Sequence, residues 1–237
     1  MSSPISASAT VTIRSTVRAR LRMPLYTTDA LILRTYKLGE SDRIVVFLTR
    51  DRGKKRGVAK NARQSRRRFG GALEPLTYGR VGYFERERRE LVALQYVEPA
   101  RSPLSAIDGQ ALGYVGYFAE LIDEWAQEAD PNETLYRLGA SMVDAMAVGV
   151  PIEPLARYFE FWLLRLQGVY EPDARLSGAA RAFLASARGV SPFALGELDV
   201  APETLRELES THRSLIAMHL EKDLKSARVL KEMRRTS

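Results

Sequence analysis

Hydrophobic periodicity changes once along this chain, at Pro99 and Pro103, and that change limits what the chain can fold into. Before the prolines, Ala30–Tyr36 (ALILRTY), Arg43–Thr49 (RIVVFLT), Leu76–Phe84 and Leu91–Val97 are short runs rich in β-branched and aromatic residues. Gly39, Gly53, Gly57, Gly70 and Gly71 punctuate them, as in a small antiparallel structure. About five strands in roughly seventy residues predict a small barrel of the OB type. After the prolines, Leu112, Val115, Phe118, Ala119, Ile122 and Trp125 recur at helical spacing. Further helices are expected over Glu133–Val148, from Pro151 and Pro154 through Leu155 and Leu166 to a stop at Gly168, over Ala179–Ala187, and from Pro202 to about Arg235. The expected fold class is α+β: an OB-fold barrel over residues 25–100 followed by an all-α helical domain over 101–237.

Charge divides at the same place. Residues 25–100 hold 17 Lys and Arg against 9 Asp and Glu, a balance of +8, whereas residues 101–237 hold 15 against 20, a balance of −5. A basic barrel joined to a mildly acidic helical domain points to a polyanionic partner for the first module. Residues 1–24 add Arg14, Arg18, Arg20 and Arg22 with no acid, among many Ser, Thr and Ala. This stretch superficially resembles a transit peptide but is expected to be a disordered extension, with Met23 before Pro24 as the start of the functional chain.

Several chemistries are excluded. The sequence has no cysteine, which removes disulfides, thiolate zinc sites and cysteine nucleophiles. No apolar run approaches the roughly 18 residues of a membrane span. Phosphate-binding P-loop, dinucleotide-binding, zinc-protease and serine-elbow motifs are all missing, and no catalytic residue is identified. His212 and His219, with Glu209 nearby, are read as partly exposed residues of one helix and not as metal ligands. The pairs Asp123/Glu124 and Glu207/Glu209 are read as solvated helix faces, and no cofactor is expected.

The strongest local feature is Asp51–Gly71, DRGKKRGVAKNARQSRRRFGG. Lys54, Lys55, Arg56, Lys60, Arg63, Arg66, Arg67 and Arg68 lie in it without an intervening acid, a density that self-repels unless a polyanion neutralises it. Flanking glycines predict a mobile loop. Aromatic residues adjoin it, and strand alternation puts Arg34 beside Tyr36 and Tyr78 beside Arg80 on the barrel surface. Rings beside cations suit single strands, whose bases stack while their phosphates pair. Arg34, Tyr36, Lys37 and Arg80 are therefore added to the candidate DNA contacts, although small barrels also fill their interiors with aromatics.

Thr28–Glu40 (TDALILRTYKLGE), Ser41-Asp42-Arg43, the turn Leu48–Gly53, Val58-Ala59-Lys60 and Leu73-Glu74-Pro75-Leu76 resemble the amino-terminal domain of the RecO family. Tyr117–Asp123, Phe161–Leu164, Gly168–Pro172 and the Leu220, Leu224–Ser226, Leu230 pattern extend the resemblance through the helical half. It implies a recombination mediator and strand-annealing protein that binds single- and double-stranded DNA and helps load recombinase onto strands covered by single-strand-binding protein. The implied partners are the RecR protein and the C-terminal tail of single-strand-binding protein, and the implied location is the cytoplasm, at the nucleoid.

Two departures stand out. Many family members carry a four-cysteine zinc knuckle after the segment matching Leu163–Pro172, whereas Asp173–Pro192 here has no cysteine, so stiffness there must come from packing or be missing. The family's glycine after the lysine matching Lys60 is Asn61 here, a residue that also tolerates a left-handed backbone. The competing readings are an RNA-binding OB-domain protein of translation or ribosome assembly and a nucleic-acid-processing enzyme. The enzyme lacks clustered acids for divalent metal, since Asp29, Glu40, Asp42 and Asp51 show no metal-binding spacing.

Overall fold

The fold is that of a computed structural model, which describes residues 24–85, 89–105, 109–170, 176–222 and 224–236. Apart from Pro24, the extension expected over residues 1–24, with its start at Met23, lies outside the described residues. Five strands, β1 (Leu25–Leu38), β2 (Asp42–Thr49), β3 (Lys54–Ala59), β4 (Tyr78–Phe84) and β5 (Leu91–Arg101), close into a barrel in the order β1-β2-β3-β5-β4. Pairing is antiparallel except between β3 and β5. This is the anticipated OB barrel, with one strand not anticipated: β3 occupies the first part of the basic segment that was expected to be a mobile loop.

Alternation along β1 and β2 explains their unbroken apolar runs. Ala30, Ile32, Val45 and Phe47 point into the barrel and pack with Val81, Tyr83, Val92 and Leu94. Leu31, Leu33, Val46 and Leu48 point out, yet are also buried, because they join the core of the helical half. A strand covered on both faces loses the inside–outside rhythm of an exposed sheet. After β3 the chain makes a series of turns that carry Phe69 and Ala72 into the barrel end, 1% and 2% exposed. The Val97 amide donates to the Arg68 carbonyl at 3.0 Å and fixes that plug.

Six α-helices follow among the described residues: α1 (Gly109–Trp125), α2 (Glu133–Ala147), α3 (Ile152–Leu166), α4 (Gly178–Gly189), α5 (Pro202–Leu220) and α6 (Lys225–Thr236). Helix α2 starts where Asn132 Oδ1 accepts the Leu135 amide at 2.9 Å, a side-chain cap. It approaches β1 so closely that a Cβ on Gly139 would meet Leu31 Cδ2 at 2.6 Å. The single helix expected from Pro202 to about Arg235 is two, separated where Glu221 adopts a left-handed φ of 51°. Of the cysteine-free stretch Asp173–Pro192, whose stiffness was expected to come from packing or be missing, residues 173–175 lie outside the described residues, and from Leu176 onward packing holds the chain. Phe183 and Leu184 of α4 are buried, and Trp162 Nε1 donates to the Ala187 carbonyl at 3.1 Å.

The two halves share a core that contains a buried polar cluster. Glu160 is 1% exposed and takes Arg157 NH2 at 3.0 Å, the Tyr117 hydroxyl at 2.8 Å and His212 Nδ1 at 3.1 Å. His212 is fully buried, so the expectation of a partly exposed histidine is wrong for it; His219 is exposed. Burial pushes the Tyr117 phenol well above its ordinary value, with the Glu160 carboxylate adding to the shift, so it remains a donor. The acids expected on solvated faces also serve inside contacts: Asp123 and Glu209 are each 14% exposed, and Glu209 faces both Arg157 and Arg213.

Candidate nucleic-acid interface

The structure divides the eleven candidate cations into two groups. In the first, the side chain is already engaged, in all but Arg68 by an acid. Arg34 and Lys54 reach the Asp123 carboxylate of α1, each at 3.2 Å. Burial works against the Arg34 charge, but the Tyr36 hydroxyl at 3.1 Å and Asp123 together hold the guanidinium above its usual value. Lys55 Nζ donates to Glu85 at 2.8 Å, and Arg80 sits 3.9 Å from Asp29. Arg68 meets no acid among the described residues but is held by the fold: it donates to the Lys60 carbonyl at 2.6 Å and to the Ser65 hydroxyl at 2.9 Å, with its guanidinium 5.0 Å from the Phe69 ring centre, so it clamps the plug. The acid-free run in sequence is therefore not acid-free in space.

In the second group, Lys37, Arg56, Lys60, Arg66 and Arg67 are exposed and make no ion pair among the described residues. Arg63 is exposed too, and its guanidinium donates to the Glu40 carbonyl at 3.2 Å, a contact that leaves its charge unneutralised. Backbone geometry assembles most of these cations at one end of the barrel. Asn61 takes a left-handed φ of 52°, as its substitution for glycine anticipates, and its amide donates to Asp42 Oδ1 at 2.8 Å. The Arg63 amide donates to the Ser41 carbonyl at 3.2 Å. These bonds tie the segment after β3 to the β1–β2 turn, whose approach carries Tyr36 and Lys37. Tyr36 is 43% exposed, whereas Phe47, Phe69 and Tyr83 belong to the core. Unopposed cations beside one open ring can neutralise phosphates and stack a base.

A second feature lies between α5 and α6. A pocket of about 290 Å³ has Ile216, Ala217, Leu224 and Ala227 in its lining and Tyr117 at one wall. Lys225, Arg228 and Lys231 line it from α6, and Arg213 and Lys222 from the side of α5. Lys222 is paired with Glu124 at 2.5 Å and Arg213 with Glu209 at 2.6 Å. Positive charge is thus concentrated locally on a domain whose net charge is negative. Sequence reading had not placed this pocket, although the three-residue spacing of Lys225, Arg228 and Lys231 marks one basic helix edge. Among the described residues no group of carboxylates and histidines is arranged to hold a metal ion, and no helix is long and apolar enough to cross a membrane.

Comparison with known proteins gives a consistent set of matches. The family model described as Recombination protein O N terminal matches residues 23–103, and Recombination protein O C terminal matches residues 107–175. The protein named DNA repair protein RecO in Koribacter versatilis is 44% identical over 146 residues, covering 61% of this chain and 59% of that protein. Its namesake in Anaeromyxobacter sp. (strain K) is 37% identical over 169 residues, covering 70% and 65%. Both of these matches therefore span less than two thirds of the relative. The namesake in Geobacter metallireducens is 32% identical over 238 residues, covering 87% of this chain and 97% of that protein.

Proposed function

Because the chain belongs to the RecO family, we infer that it is a non-enzymatic DNA-binding mediator of recombinational repair that anneals complementary strands and helps load recombinase onto single strands covered by single-strand-binding protein. The observation that carries this reading is the set of unpaired cations, Lys37, Lys60, Arg66 and Arg67, gathered with Arg63 and Tyr36 at one barrel end. Phosphates of a single strand displace counterions from such a surface without any base being read, which suits a protein that must act on every sequence. Neutralising the backbones of two strands on one surface also lowers the repulsion that opposes their pairing.

The pocket between α5 and α6 supports a second part of the same reading. An apolar floor edged by Lys225, Arg228 and Lys231 matches a short peptide that ends in hydrophobic side chains and a carboxylate. The C-terminal tail of single-strand-binding protein has that chemistry and is the proposed occupant; RecR is the other proposed protein partner. The test is annealing of complementary oligonucleotides, bare and coated with single-strand-binding protein. Acceleration in both cases is expected. Failure to anneal coated strands, or tighter binding of structured RNA than of single-stranded DNA, overturns the mediator reading.

A further inference from the structure

Helix α6 carries charge opposite in sign to that of its domain. Residues 225–236 hold five Lys and Arg against Glu232 alone, although residues 101–237 together are net negative. Lys222 and Arg213, at the side of the α5–α6 pocket, are answered by Glu124 and Glu209. Lys225, Arg228 and Lys231 are exposed and form no ion pair among the described residues. Their three-residue spacing sets them along about 9 Å of helix axis, a length over which one strand of a duplex presents roughly two or three phosphates. Position joins this edge to the barrel. Glu120 of α1 accepts the Lys225 and Ser226 amides at 3.2 and 2.7 Å. The same carboxylate feels the charge of Arg34 on β1, and Arg34 donates to the Tyr36 hydroxyl at 3.1 Å. The first turn of α6 therefore lies beside the strand that brings Tyr36 and Lys37 to the open end of the barrel.

We propose that the edge of α6 formed by Lys225, Arg228 and Lys231 is a second polyanion site, which holds phosphates of the complementary DNA strand while a first strand occupies the barrel. The proposal rests on the strand-annealing reading above and adds to it where the second strand goes. Charge repetition selects the occupant: a peptide's terminal carboxylate answers one cation, whereas three unpaired cations at regular spacing match a backbone that repeats its charge. Continuity with the barrel end supplies the geometry, because strands neutralised on adjoining surfaces meet without the full repulsion between their backbones. Lys225, Arg228 and Lys231 also line the pocket proposed for the tail of single-strand-binding protein. Tail and second strand draw on the same cations and exclude one another, so arrival of the complementary strand releases the tail.

The test measures annealing of bare complementary oligonucleotides by the full-length protein, with affinity for one short oligothymidylate as the reference. Arg228→Glu with Lys231→Glu is expected to lower the annealing rate roughly tenfold more than it lowers that affinity, since two phosphate contacts of the second strand are lost. A second measurement needs no variant to fold: the synthetic tail peptide of single-strand-binding protein, added to the unaltered protein, is expected to slow annealing of bare strands without displacing the oligothymidylate. Annealing that falls no further than single-strand affinity overturns the proposal, as does annealing that the peptide leaves unchanged. Loss of peptide binding in the double variant with annealing intact also overturns it, and shows that these cations serve the tail alone. If the unaltered protein fails to anneal bare strands, the mediator reading falls and this inference with it; equal annealing by both proteins removes this inference alone.

Discussion

Asp123 of α1 answers two strands of the barrel at once, with Arg34 of β1 and Lys54 of β3 each 3.2 Å from its carboxylate. Lys54 Nζ also donates to the Asp123 carbonyl at 2.5 Å, and the Lys54 backbone pairs with the α1–α2 connection through the Gln127 carbonyl and the Ala129 amide. Lys54 is thus part of the joint between barrel and helices. Lys54→Ala is expected to lower unfolding free energy by about 2 kcal/mol, the scale of a hydrogen bond to a charged group. The salt dependence of DNA affinity should stay as it was. A slope flattened by about 0.7 would instead mean that Lys54 meets a phosphate.

Arg66 and Arg67 are expected to behave oppositely. Reversing both to Glu should weaken binding to all sequences alike and flatten the plot of log affinity against log salt by about 0.7 per lost phosphate contact, with little change in stability. Arg68→Glu is a different substitution, because Arg68 clamps the plug over the barrel end; it should lower the melting temperature first. Titrations at several salt concentrations, beside thermal melts, separate the two. Identical behaviour of all three arginines would contradict this division.

Glu120 of α1 caps α6 from outside the helix. Its carboxylate accepts the Lys225 amide at 3.2 Å, the Ser226 amide at 2.7 Å and the Ser226 hydroxyl. Burial opposes its charge, but the Ser226 hydroxyl, the two amides and the nearby Arg34 outweigh that and hold its pKa below the ordinary 4.5. A lowered carboxylate pKa stabilises the docked helix above the unfolded value, and the contribution fades as pH falls through the folded value. The protection of α6 amides, taken relative to their intrinsic exchange rate at each pH, should therefore fall on acidification below about pH 4.5, and Glu120→Ala should produce the same loss of protection at neutral pH. Equal protection of α6 in both proteins would show that Leu224 and Leu230 hold it without the cap.

Glu160 and Arg157 are each 1% exposed and answer one another inside the helical core. Glu160→Gln leaves Arg157 with Glu209 alone, at 3.5 Å, and removes the charged acceptor of Tyr117 and His212. Breaking a buried pair from one side costs about 3–5 kcal/mol. The urea midpoint should fall accordingly. A loss below about 1 kcal/mol would place the cluster among surface-like ion pairs.

Much of this molecule was legible in the sequence because it rests on local rules. The switch from strand runs to helical spacing at Pro99 and Pro103, the glycine punctuation of the barrel and the starts of α2 and α3 all depend on neighbouring residues, and the structure follows them. What tertiary structure alone decided depends on partners far away in the chain. No glycine or proline lies between Glu203 and Thr236, so nothing local announces the break between α5 and α6; Glu120, about a hundred residues earlier, supplies the cap that starts the second helix. Likewise Lys54, Lys55, Arg66 and Arg67 look alike in a basic run. Asp123 and Glu85 take up the first two, while the turns after β3 leave the last two in solvent. Charge can be counted in a sequence, but its availability depends on which carboxylates the fold brings within reach, and that is a property of the closed barrel and the helix packed against it.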